Sequence, residues 1–535
     1  MTNTVTIIAR RLYDAGCRHA FGIPGGEVLK IMDALQTAGI HFQLAKHENS
    51  AGFMAEGTHH ATGAPGILLA TLGPGVANAV NVVANAWQDQ VPMIFLTGCV
   101  DDASAVSYTH QIFDHQALLR PITKASFKLS HGATAAIIDK AIAIATGGRP
   151  GPVHIDIPIS VAGMDETDDG YPRQNKSSPM APAQSADFHA AKTAFEQAKK
   201  PLIIAGIDIL HLNADQSLRN FIQKFQIPLI TTYKAKGVLD EDHDLSLGGA
   251  GLSPIADDVL LGFIKQSDLI ILAGYDPIEM RSSWRQPWSP STTTLEFSAV
   301  TNTHYMHQSD YSFIGDVASG LDALSQGIDH HPLWADGAPK KTKQAIRQAF
   351  SPKGDWGPAH IIQCLRNVMP KNTVATVDTG AHRILLSQIW RCHSPRSLLQ
   401  STALCTMGPA VPMATGYKSA KPDVPVIAFT GDAGMEMVLG ELATLRDMKL
   451  PVLIVVFVDR SLSLIELKQR GHKMENLGVD FGGTDFASVA NAMGGTGVVV
   501  SDTKTLETEA AKAIMRNGFT LLACPIDRKA YDGLF

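Results

Sequence analysis

The chain of 535 residues is too long for one hydrophobic core, and its length corresponds to about three or four domains. Hydrophobic residues make up 45% of the chain and charged residues 18%, a composition that excludes disorder as the main state. The formal net charge of −6 argues against nucleic acid or an anionic membrane as a partner, but it does not exclude a local phosphate site.

The cysteines and the N-terminus indicate the cellular compartment. Six cysteines, at positions 17, 99, 364, 392, 405 and 524, are too scattered for a disulfide framework and fit a reducing cytosol. The N-terminal segment lacks the hydrophobic region and the cleavage site of a secretion signal. The longest apolar runs, such as 451–458, have about half the ~20 residues of a membrane-spanning helix. We therefore expect a cytoplasmic protein.

Short, continuously apolar and β-branched runs recur between segments of helical length. Runs of this kind, buried on both faces, are typical of parallel sheets in α/β domains. The predicted strands are 66–71, 92–98, 153–158, 201–206, 227–232, 268–274, 424–431 and 451–459. The sequence therefore predicts the α/β class.

Two stretches without apolar periodicity interrupt this pattern. Residues 164–185 are rich in acidic residues, Pro and Ser, and residues 328–356 are similarly irregular, so we interpret both as linkers. The predicted domains are 1–163, 186–327 and 356–535. The first and third domains each contain an apolar strand, a Gly-bearing turn and a helix, at 66–80 and 424–438, which indicates a duplicated fold.

Two aspartates follow predicted strands of the last domain. Asp432, in GDAG at 431–434, comes after one strand, and Asp459 ends the next. Since ligands bind at the carboxyl ends of parallel strands, we expect both carboxylates at that edge of the sheet. Two carboxylates suit Mg²⁺ shared with a diphosphate, and a Gly-rich turn at a helix N-terminus suits the anion. On spacing alone, two unrelated turn aspartates stay an open alternative.

The residues after GDAG predict one helix. Its apolar face is formed by Met435, Val438, Leu442 and Leu445. The chain has no GxxxxGK[ST] phosphate loop and no strand-borne GxGxxG, and IPGG at 23–26 is a turn signal. A nucleotide site of those two types is therefore not predicted.

The GDAG segment, continued through ELATLRDMKLPVLIVVFVD, resembles the diphosphate-binding signature of thiamine-diphosphate enzymes. KHENSAGFMAEGTHHATGAPGILLATLGPGVAN (46–78) is similar to the pyrimidine-binding half of the acetolactate synthase branch. The resemblance covers nearly the whole chain and implies three doubly wound parallel-sheet domains in the order pyrimidine-binding, central and diphosphate-binding. Segments 108–127 and 457–486 most resemble the flavin-independent catabolic acetolactate synthases.

The resemblance implies thiamine diphosphate and Mg²⁺ as cofactors. Glu48 matches the carboxylic acid that acts on the pyrimidine ring, with helix capping as the alternative role. Met407 matches the apolar residue that supports the bent cofactor, with core packing as the alternative, and the Cys405 carbonyl matches the acceptor for the pyrimidine amino group. Asp432 and Asp459 match side-chain metal ligands.

Ser461 matches a metal ligand through its backbone carbonyl. The turn at 380–382 matches the first turn that contacts the diphosphate, although an ordinary strand-to-helix turn would look the same. The further cofactor-binding residues that the resemblance implies are Pro24, Thr71, Asn78, Gly380, Ala381, His382, Gly431, Ala433, Gly434, Leu462 and Ser463.

The sequence departs from the family pattern at several positions. GDG is GDA here, so a positive φ at Ala433 would be strained. Arg460 either touches the diphosphate or points to solvent. Lys468 stands where biosynthetic acetolactate synthases carry a Trp that selects the second oxo acid. Segment 274–288 replaces the Arg-Phe-Asp pattern of flavin-binding relatives, so we expect no FAD.

The loop after the predicted strand 92–98 supplies the substrate-facing candidates. His110 and Gln111 match the His-Gln pair of the catabolic synthases, and an imidazole with a near-neutral pKa suits proton transfer at a carbonyl. His115 is a weaker candidate, and we expect Phe113 to serve packing rather than specificity.

These residues predict a carboligase that decarboxylates a 2-oxo acid, in the first instance pyruvate, and forms acetolactate. The alternatives on the same cofactor are a 2-oxo acid decarboxylase, an acyl-transferring lyase or a sulfoacetaldehyde acetyltransferase-like enzyme. A non-catalytic relative is a third class. In the family, the two ends of the cofactor are bound by different subunits, so the resemblance implies at least a homodimer, or a homotetramer.

Overall fold

The computed structural model describes residues 2–168, 178–329 and 333–535. Continuous apolar runs form three six-stranded sheets in which every neighbouring pair of strands is parallel, and helices cover both faces of each sheet. We call the sheets and their helices the first, central and third domains. The prediction of three doubly wound parallel-sheet domains is confirmed.

The first domain contains one of these sheets. Its strands, in spatial order, are His41–Leu44, His19–Ile23, Gly66–Ala70, Met93–Cys99, Pro152–Pro158 and Ala125–Lys128. Its helices are Thr4–Asp14, Leu29–Thr37, Glu48–Thr62, Pro74–Gln88, Asp102–Ala105, His115–Leu119 and Thr134–Thr146. Numbered along the chain, the strands follow the order 2-1-3-4-6-5.

The third domain repeats this strand order. Its strands, in spatial order, are Leu398–Gln400, Val374–Val377, Val426–Gly431, Val452–Val458, Thr520–Pro525 and Thr496–Val499. Its helices are Pro358–Val368, Ala381–Ile389, Ala410–Ala420, Asp432–Glu436, Glu441–Asp447, Ser463–Gly471, Phe486–Ala492 and Thr503–Ile514. The predicted duplication of the fold is therefore confirmed by topology.

The central domain has a different order, 3-2-1-4-5-6, which is that of dinucleotide-binding folds. Its strands, in spatial order, are Ser246–Ala250, Leu229–Thr232, Pro201–Ala205, Leu269–Ala273, Thr293–Ser298 and Tyr311–Ile314. Its helices are Ala186–Gln197, Asp208–His211, Asp215–Phe225, Pro254–Ile264 and Val317–Ser325. Among the described helices of the whole chain, none has the length and hydrophobicity to cross a bilayer.

The two stretches predicted as irregular linkers contain regular structure. Asp165–Glu166 pairs antiparallel with Thr2–Asn3 at the N-terminus, and Ala338–Ala349 is a helix, so the prediction was wrong at these positions. Residues 169–177 and 330–332 lie outside the described residues. The sequence did not predict this helix because its buried face includes the charged residue Lys343, which interrupts the apolar helical period.

The single helix predicted after GDAG is two helices, Asp432–Glu436 and Glu441–Asp447, separated by residues 437–440. The four apolar residues predicted to share a face are all buried in one cluster, so the burial prediction holds although the helix is interrupted. Glu441, the first residue of the second helix, accepts a hydrogen bond of 3.0 Å from the backbone N–H of Lys46. The interruption therefore coincides with a contact between the first and third domains.

The first and third domains pack through two helices that carry glycines where the backbones meet. A Cβ on Gly416 would lie 1.8 Å from the carbonyl oxygen of Met54, and a Cβ on Gly57 would lie 2.2 Å from that of Met413. Glu48–Thr62 and Ala410–Ala420 can approach this closely only because both contact positions lack a side chain.

Replacing Gly416 with Ala is expected to lower the melting temperature, because the new methyl group meets backbone that cannot yield; overpacking of this kind costs typically about 1–3 kcal/mol. The matched control is Gly262→Ala in the helix Pro254–Ile264, where an added Cβ meets nothing within 4 Å. That variant should melt at or above the wild-type temperature. Equal melting temperatures for the two variants would show that the helix contact does not need Gly416.

Candidate active site

The candidate site lies at the carboxyl edge of the third sheet. In the order 2-1-3-4-6-5, connections diverge between strands 1 and 3, which here are Val374–Val377 and Val426–Gly431. Such a switch point leaves a crevice at the ends of the strands, where ligands bind in open α/β sheets. The next strand, Val452–Val458, pairs with Val426–Gly431 up to the register Gly431 opposite Phe457. The residues that follow these strands therefore meet at one edge.

Asp432 is buried directly after its strand and is held by backbone donors. Its Oδ2 accepts hydrogen bonds from the N–H groups of Asp459, at 3.1 Å, and Arg460, at 2.6 Å. Its Oδ1 accepts from the N–H of Ala433 at 2.9 Å. Burial raises the pKa of Asp432, and these donors oppose that rise.

Asp459 is the second carboxylate of this edge. Its Oδ1 accepts from the N–H of Ser461 at 3.2 Å, and its Oδ2 accepts from the Ser463 hydroxyl at 2.5 Å. Burial raises the pKa of Asp459 to about 6, and the charge of neighbouring Asp432 adds to the rise. Asp432 and Asp459 are two neighbouring carboxylates that are largely shielded from water. A cation bound between them would remove their mutual repulsion.

The two aspartates open into a cavity of about 140 Å³. The structure brings the following predicted residues together in its lining: Gly380, Ala381, His382, Met407, Gly431, Asp432, Ala433, Gly434, Asp459, Ser461, Leu462 and Ser463. Helices begin at the 380–382 turn and at the 431–434 turn. Apart from the Ala433 N–H, which donates to Asp432, backbone N–H groups at these helix starts are available for an anion.

His382 shows that the cavity suits a polar ligand. Burial lowers the pKa of His382 to about 3, so the ring is neutral. Its Nε2 is buried without a hydrogen-bond partner among the described residues. A buried polar atom without a partner costs free energy, which a ligand at this cavity would recover. The donor set of carboxylates, backbone N–H groups and imidazole fits a divalent cation with a diphosphate.

The structure shows how the chain accommodates two departures from the family pattern, Ala433 and Arg460. Ala433 lies in the helix Asp432–Glu436 and is absent from the described residues with positive φ, so Ala in place of Gly causes no strain there. Arg460 has φ 58°, and its exposed side chain lies against Gly483 rather than in the cavity. Of the two roles open for Arg460, the structure favours the one facing solvent.

Met407 and Cys405 lie on the loop before the helix Ala410–Ala420. Met407 is half-buried and faces the cavity, and it belongs to none of the hydrophobic clusters of the described chain. Cys405 does not line the cavity; it has φ 56°, and its Sγ contacts Arg383 at 3.3 Å. Left-handed backbone at a non-glycine residue is uncommon outside sites where surrounding contacts impose it.

Glu48 lies in the first domain at the start of the helix Glu48–Thr62 and is 5% exposed. The Asn78 amide donates to its Oε2 at 3.0 Å. The N-cap of this helix is His47, whose side chain accepts from the N–H of Asn49. The capping alternative for Glu48 is therefore not what the structure shows, and Asn78 orients its carboxyl group.

Pro24 and Thr71 follow neighbouring strands at the switch point of the first sheet. The Thr71 hydroxyl donates to Glu27 at 2.7 Å. A Cβ on Gly25 would lie 2.3 Å from the Thr71 hydroxyl oxygen, so the IPGG turn packs closely on this strand end. The turn is thus more than a chain reversal, because it shapes the edge of the first sheet.

The loop with His110 and Gln111 borders a second cavity of about 140 Å³, which Gln111, Phe113 and His115 line. His110 is exposed, and Gln111 has φ 60°. A Cβ on Gly73 would lie 2.6 Å from the Gln111 carbonyl oxygen, so the loop rests on the turn after the strand Gly66–Ala70. The loop that carries His110 and Gln111 therefore contacts the turn at Gly73.

His115 is buried in a hydrogen-bonded network. The N–H of Gly73 donates to its Nε2 at 3.1 Å, so the proton lies on Nδ1, which is 2.8 Å from Asp156 Oδ1. The same carboxylate accepts from the Thr97 hydroxyl at 2.6 Å. Both ring nitrogens of His115 are engaged, which indicates a positioning role. The Phe113 ring lies edge-on against this imidazole, with centroids 4.9 Å apart, but the side chain is 40% exposed, so a packing role for Phe113 stays a prediction.

Asp378 and Tyr531 were missed by the sequence analysis. Asp378 accepts from the Gly408 N–H at 2.6 Å and from the Thr430 hydroxyl at 2.9 Å, and burial raises its pKa to about 7. It ties the Met407 loop to the strand ends, and its place directly after a strand was a usable signal. Tyr531 lines the cavity near the C-terminus, where no pattern pointed to it.

The chain matches three family models of known proteins, one for each domain. The N-terminal TPP binding domain of thiamine pyrophosphate enzymes matches residues 2–118, the central domain matches 188–324, and the C-terminal TPP binding domain matches 378–524. The fold and the site therefore define a thiamine pyrophosphate enzyme, whose cofactor is the same compound as thiamine diphosphate.

Several proteins similar in sequence to this chain are acetolactate synthases, which identifies the family within this class of enzymes. The acetolactate synthase of Bacillus subtilis (strain 168) is 29% identical over 529 residues, with 96% of this chain and 92% of the relative covered. A probable acetolactate synthase large subunit of Methanococcus aeolicus is 30% identical over 514 residues, with 89% and 84% covered. A catabolic acetolactate synthase of Raoultella terrigena is 27% identical over 538 residues, with 97% and 94% covered. The chain belongs to the thiamine-pyrophosphate-dependent acetolactate synthase family.

Catabolic and large-subunit relatives match at similar identity, so membership of the flavin-independent catabolic type stays a prediction. The same holds for the absence of FAD. Lys468, which stands in place of the acceptor-selecting Trp, is exposed on the helix Ser463–Gly471.

Proposed function

We propose that the protein decarboxylates pyruvate and joins the two-carbon product to a second 2-oxo acid, forming acetolactate when pyruvate is also the acceptor. The observation that carries this proposal is the third-domain cavity, where two aspartates lie beside two turns that open helices. The acetolactate synthases that match over most of the chain support the reaction type.

When bound, thiamine diphosphate supplies the electron sink for decarboxylation and carbon–carbon bond formation. The carboxylates of Asp432 and Asp459 and the backbone carbonyl of Ser461 hold Mg²⁺, which prefers such hard oxygen ligands. The diphosphate is bound by Gly380, Ala381, His382, Gly431, Ala433, Gly434, Leu462 and Ser463, which share this cavity. N–H groups at the starts of the two helices neutralise part of its charge.

Glu48 would hold a proton on its carboxyl group at the pyrimidine end of the cofactor. Its carboxyl group is desolvated, and Asn78 fixes its orientation through Oε2. Met407 supports the cofactor from the cavity wall, and the Cys405 carbonyl binds the pyrimidine amino group. Pro24 and Thr71 complete the pyrimidine end of the site.

His110 is the substrate-facing acid or base, and Gln111 beside it binds substrate. The His110 imidazole is exposed on its loop, so substrate and water can both reach it. His115 does not share this role because its two nitrogens hold Gly73 and Asp156. It positions the turn on which the Gln111 loop rests.

The active form is a homodimer, or a homotetramer built from such dimers, with each site formed between subunits. In a single chain the two groups of candidate residues belong to different domains: one surrounds Glu48 and the other surrounds Asp432. The family resemblance assigns the two ends of one cofactor to different subunits, so a fully active monomer would contradict this arrangement.

The alternatives on the same cofactor are less well supported. The names of the matching relatives do not favour a decarboxylase, a lyase or a sulfoacetaldehyde acetyltransferase. A non-catalytic relative is disfavoured because Glu48, Asp432 and Asp459 are all present and hydrogen-bonded in the orientations described.

Purified protein supplied with pyruvate, Mg²⁺ and thiamine diphosphate is expected to release CO₂ and to form acetolactate as the main product. Carbon-13 NMR of the products checks this, because acetolactate and acetaldehyde give separate signals. The Glu48→Gln variant is the control for background decarboxylation. Acetaldehyde as the main product would replace the proposal with a decarboxylase, and no turnover of any 2-oxo acid would replace it with a non-catalytic protein.

A further inference from the structure

A separate cavity of about 280 Å³ lies at the junction of the central domain, the helix Ala338–Ala349 and the third domain. Among the residues that the structure describes, its charged lining consists of Lys236, Lys343, Arg347, Arg366, Arg391 and one carboxylate, Glu241. We call this space the basic cavity. It shares no lining residue with the candidate active site.

Glu241 does not neutralise the basic cavity. Its Oε1 accepts from the Lys236 ammonium at 2.5 Å, and its Oε2 accepts from the N–H of Cys392 at 2.7 Å. The carboxylate is therefore satisfied by one cation and one backbone donor. Among the described residues that line the cavity, Lys343, Arg347, Arg366 and Arg391 form no ion pair with this carboxylate.

Arg366 is a buried cation with unused donors. It is 4% exposed, and its Nη2 donates to the carbonyls of Met369, at 3.2 Å, and Pro370, at 2.9 Å. Its Nε and Nη1 have no hydrogen-bond partner among the described residues. Its guanidinium lies over the Trp390 ring, 4.7 Å from the centroid, which holds its plane in place. Nε and Nη1 are thus held in place, and each can still donate a single hydrogen bond to an oxyanion.

Lys343 is the second buried cation of the basic cavity. Its Nζ donates to the carbonyl oxygen of Glu241 at 3.1 Å and to that of His243. Burial lowers the pKa of Lys343, and the charge of Arg347 lowers it further. Burial likewise lowers the pKa of Arg366. Nearby acidic groups oppose these shifts, but burial is the largest cause for both cations, and an anion beside them would offset that cost.

Arg347 and Arg391 form the rim. Their side chains are 57% and 42% exposed, and each lies near Asp242 Oδ1, at 3.9 Å and 3.4 Å. Exposed ion pairs at such distances contribute little, so an incoming anion can displace them. The rim cations also extend the positive potential outward, which attracts anions to the opening.

We propose that the basic cavity binds a small polyanion, a phosphate ester or a dicarboxylate, with Arg366 and Lys343 at its floor and Arg347 and Arg391 at its rim. The volume of about 280 Å³ is just below the range of ~300–1,000 Å³ usual for ligand sites, which indicates a small metabolite. At least two negative charges are needed to match the uncompensated cations.

The basic cavity touches the helix that begins in the candidate active site. Gln388 and Ile389 line it at the end of Ala381–Ile389, while Ala381 and His382 line the other cavity. A helix of nine residues is about 13 Å long, so the two cavities lie at opposite ends of one rigid element. The cations outweigh the partial negative charge at this helix end.

Calorimetric titration of the protein with inorganic phosphate and, separately, with succinate tests the proposal. Each probe is titrated with and without saturating Mg²⁺ and thiamine diphosphate, so that binding in the candidate active site is recognised by its loss on loading. We expect one saturable site per chain that persists in the loaded protein and weakens with added NaCl. If phosphate binds and succinate does not, the natural ligand is a phosphate ester. If succinate binds and phosphate does not, the natural ligand is a dicarboxylate.

Variants assign the binding to the basic cavity. Arg347→Glu is expected to weaken it at least ~10-fold, about 1.4 kcal/mol, and Arg366→Met to abolish it. Lys341→Glu is the matched control, because it reverses an exposed charge on the same helix outside the cavity. If Arg366→Met does not fold, the exposed Arg347 carries the test. No saturable binding of either probe, or equal weakening by Arg347→Glu and Lys341→Glu, would overturn the proposal.

Discussion

Glu48→Gln is expected to slow the exchange of the C2 proton of bound thiamine diphosphate by at least ~100-fold, about 2.7 kcal/mol in activation free energy. The amide cannot donate or accept the exchangeable proton as a carboxyl group does. Its carbonyl oxygen can still accept the 3.0 Å hydrogen bond from Asn78, so local geometry should persist. Quenched-flow hydrogen–deuterium exchange followed by NMR measures the rate directly, without dependence on substrate.

The chain offers a matched control for this variant on the same helix. Glu56 is fully buried two turns after Glu48, and Asn85 donates to its Oε2 at 2.9 Å, as Asn78 does to Glu48. Burial raises the pKa of Glu56, which favours its neutral form, so a neutral amide resembles it in charge. Glu56→Gln should exchange at nearly the wild-type rate. An unchanged rate in Glu48→Gln would remove Glu48 from its proposed role.

The sheets could be predicted from the sequence because their strands are buried on both faces. Each predicted run, such as 201–206 or 451–459, coincides with an observed parallel strand, Pro201–Ala205 or Val452–Val458. A continuous apolar run needs no knowledge of its neighbours to be recognised. Strand order depends on pairing between distant segments, so the 2-1-3-4-6-5 repeat became visible only in the structure.

The sequence could place the third-domain residues close together because they follow the ends of neighbouring strands. Asp432 and Asp459 follow strands that the sequence locates, and parallel pairing then brings them together. Tyr531 reaches the same cavity from the C-terminal residues, through a tertiary contact that no local pattern encodes. His115 illustrates the opposite case, because its residue type suggested chemistry while its hydrogen bonds to Gly73 and Asp156 indicate positioning.

The basic cavity was invisible to the sequence for a related reason. The helix Ala338–Ala349 falls in a stretch interpreted as a linker, and Arg366 and Arg391 are separated from Lys236 by more than a hundred residues. Net charge averages over the surface, so a chain with a formal charge of −6 can still concentrate five cations around one space.

Asp432→Asn is expected to weaken Mg²⁺-dependent binding of thiamine diphosphate by at least ~100-fold. Loss of a supporting contact outside the coordination shell commonly costs 10–100-fold in metal affinity, and loss of a charged ligand should cost more. The Asp432 carboxylate accepts hydrogen bonds from the backbone N–H groups of Ala433, Asp459 and Arg460. In the variant, the amide nitrogen would face at least one of these donors, and that hydrogen bond would be lost. Titration of the cofactor at fixed Mg²⁺, followed by near-ultraviolet circular dichroism, measures the loss.

Asp459→Asn separates a metal role from a structural one. In Asp459→Asn the amide oxygen can still accept from the Ser461 N–H and the amide nitrogen can donate to the Ser463 hydroxyl, so affinity should fall less than in Asp432→Asn. Asp502→Asn, at an exposed N-cap of the same domain, should bind the cofactor as the wild type does, because Asn caps helices as well as Asp. Wild-type affinity in Asp432→Asn would exclude a metal at this edge. Weaker binding in both Asp432→Asn and Asp459→Asn, with no weakening in Asp502→Asn, would follow from ligand charge, since only the first two residues face the cavity.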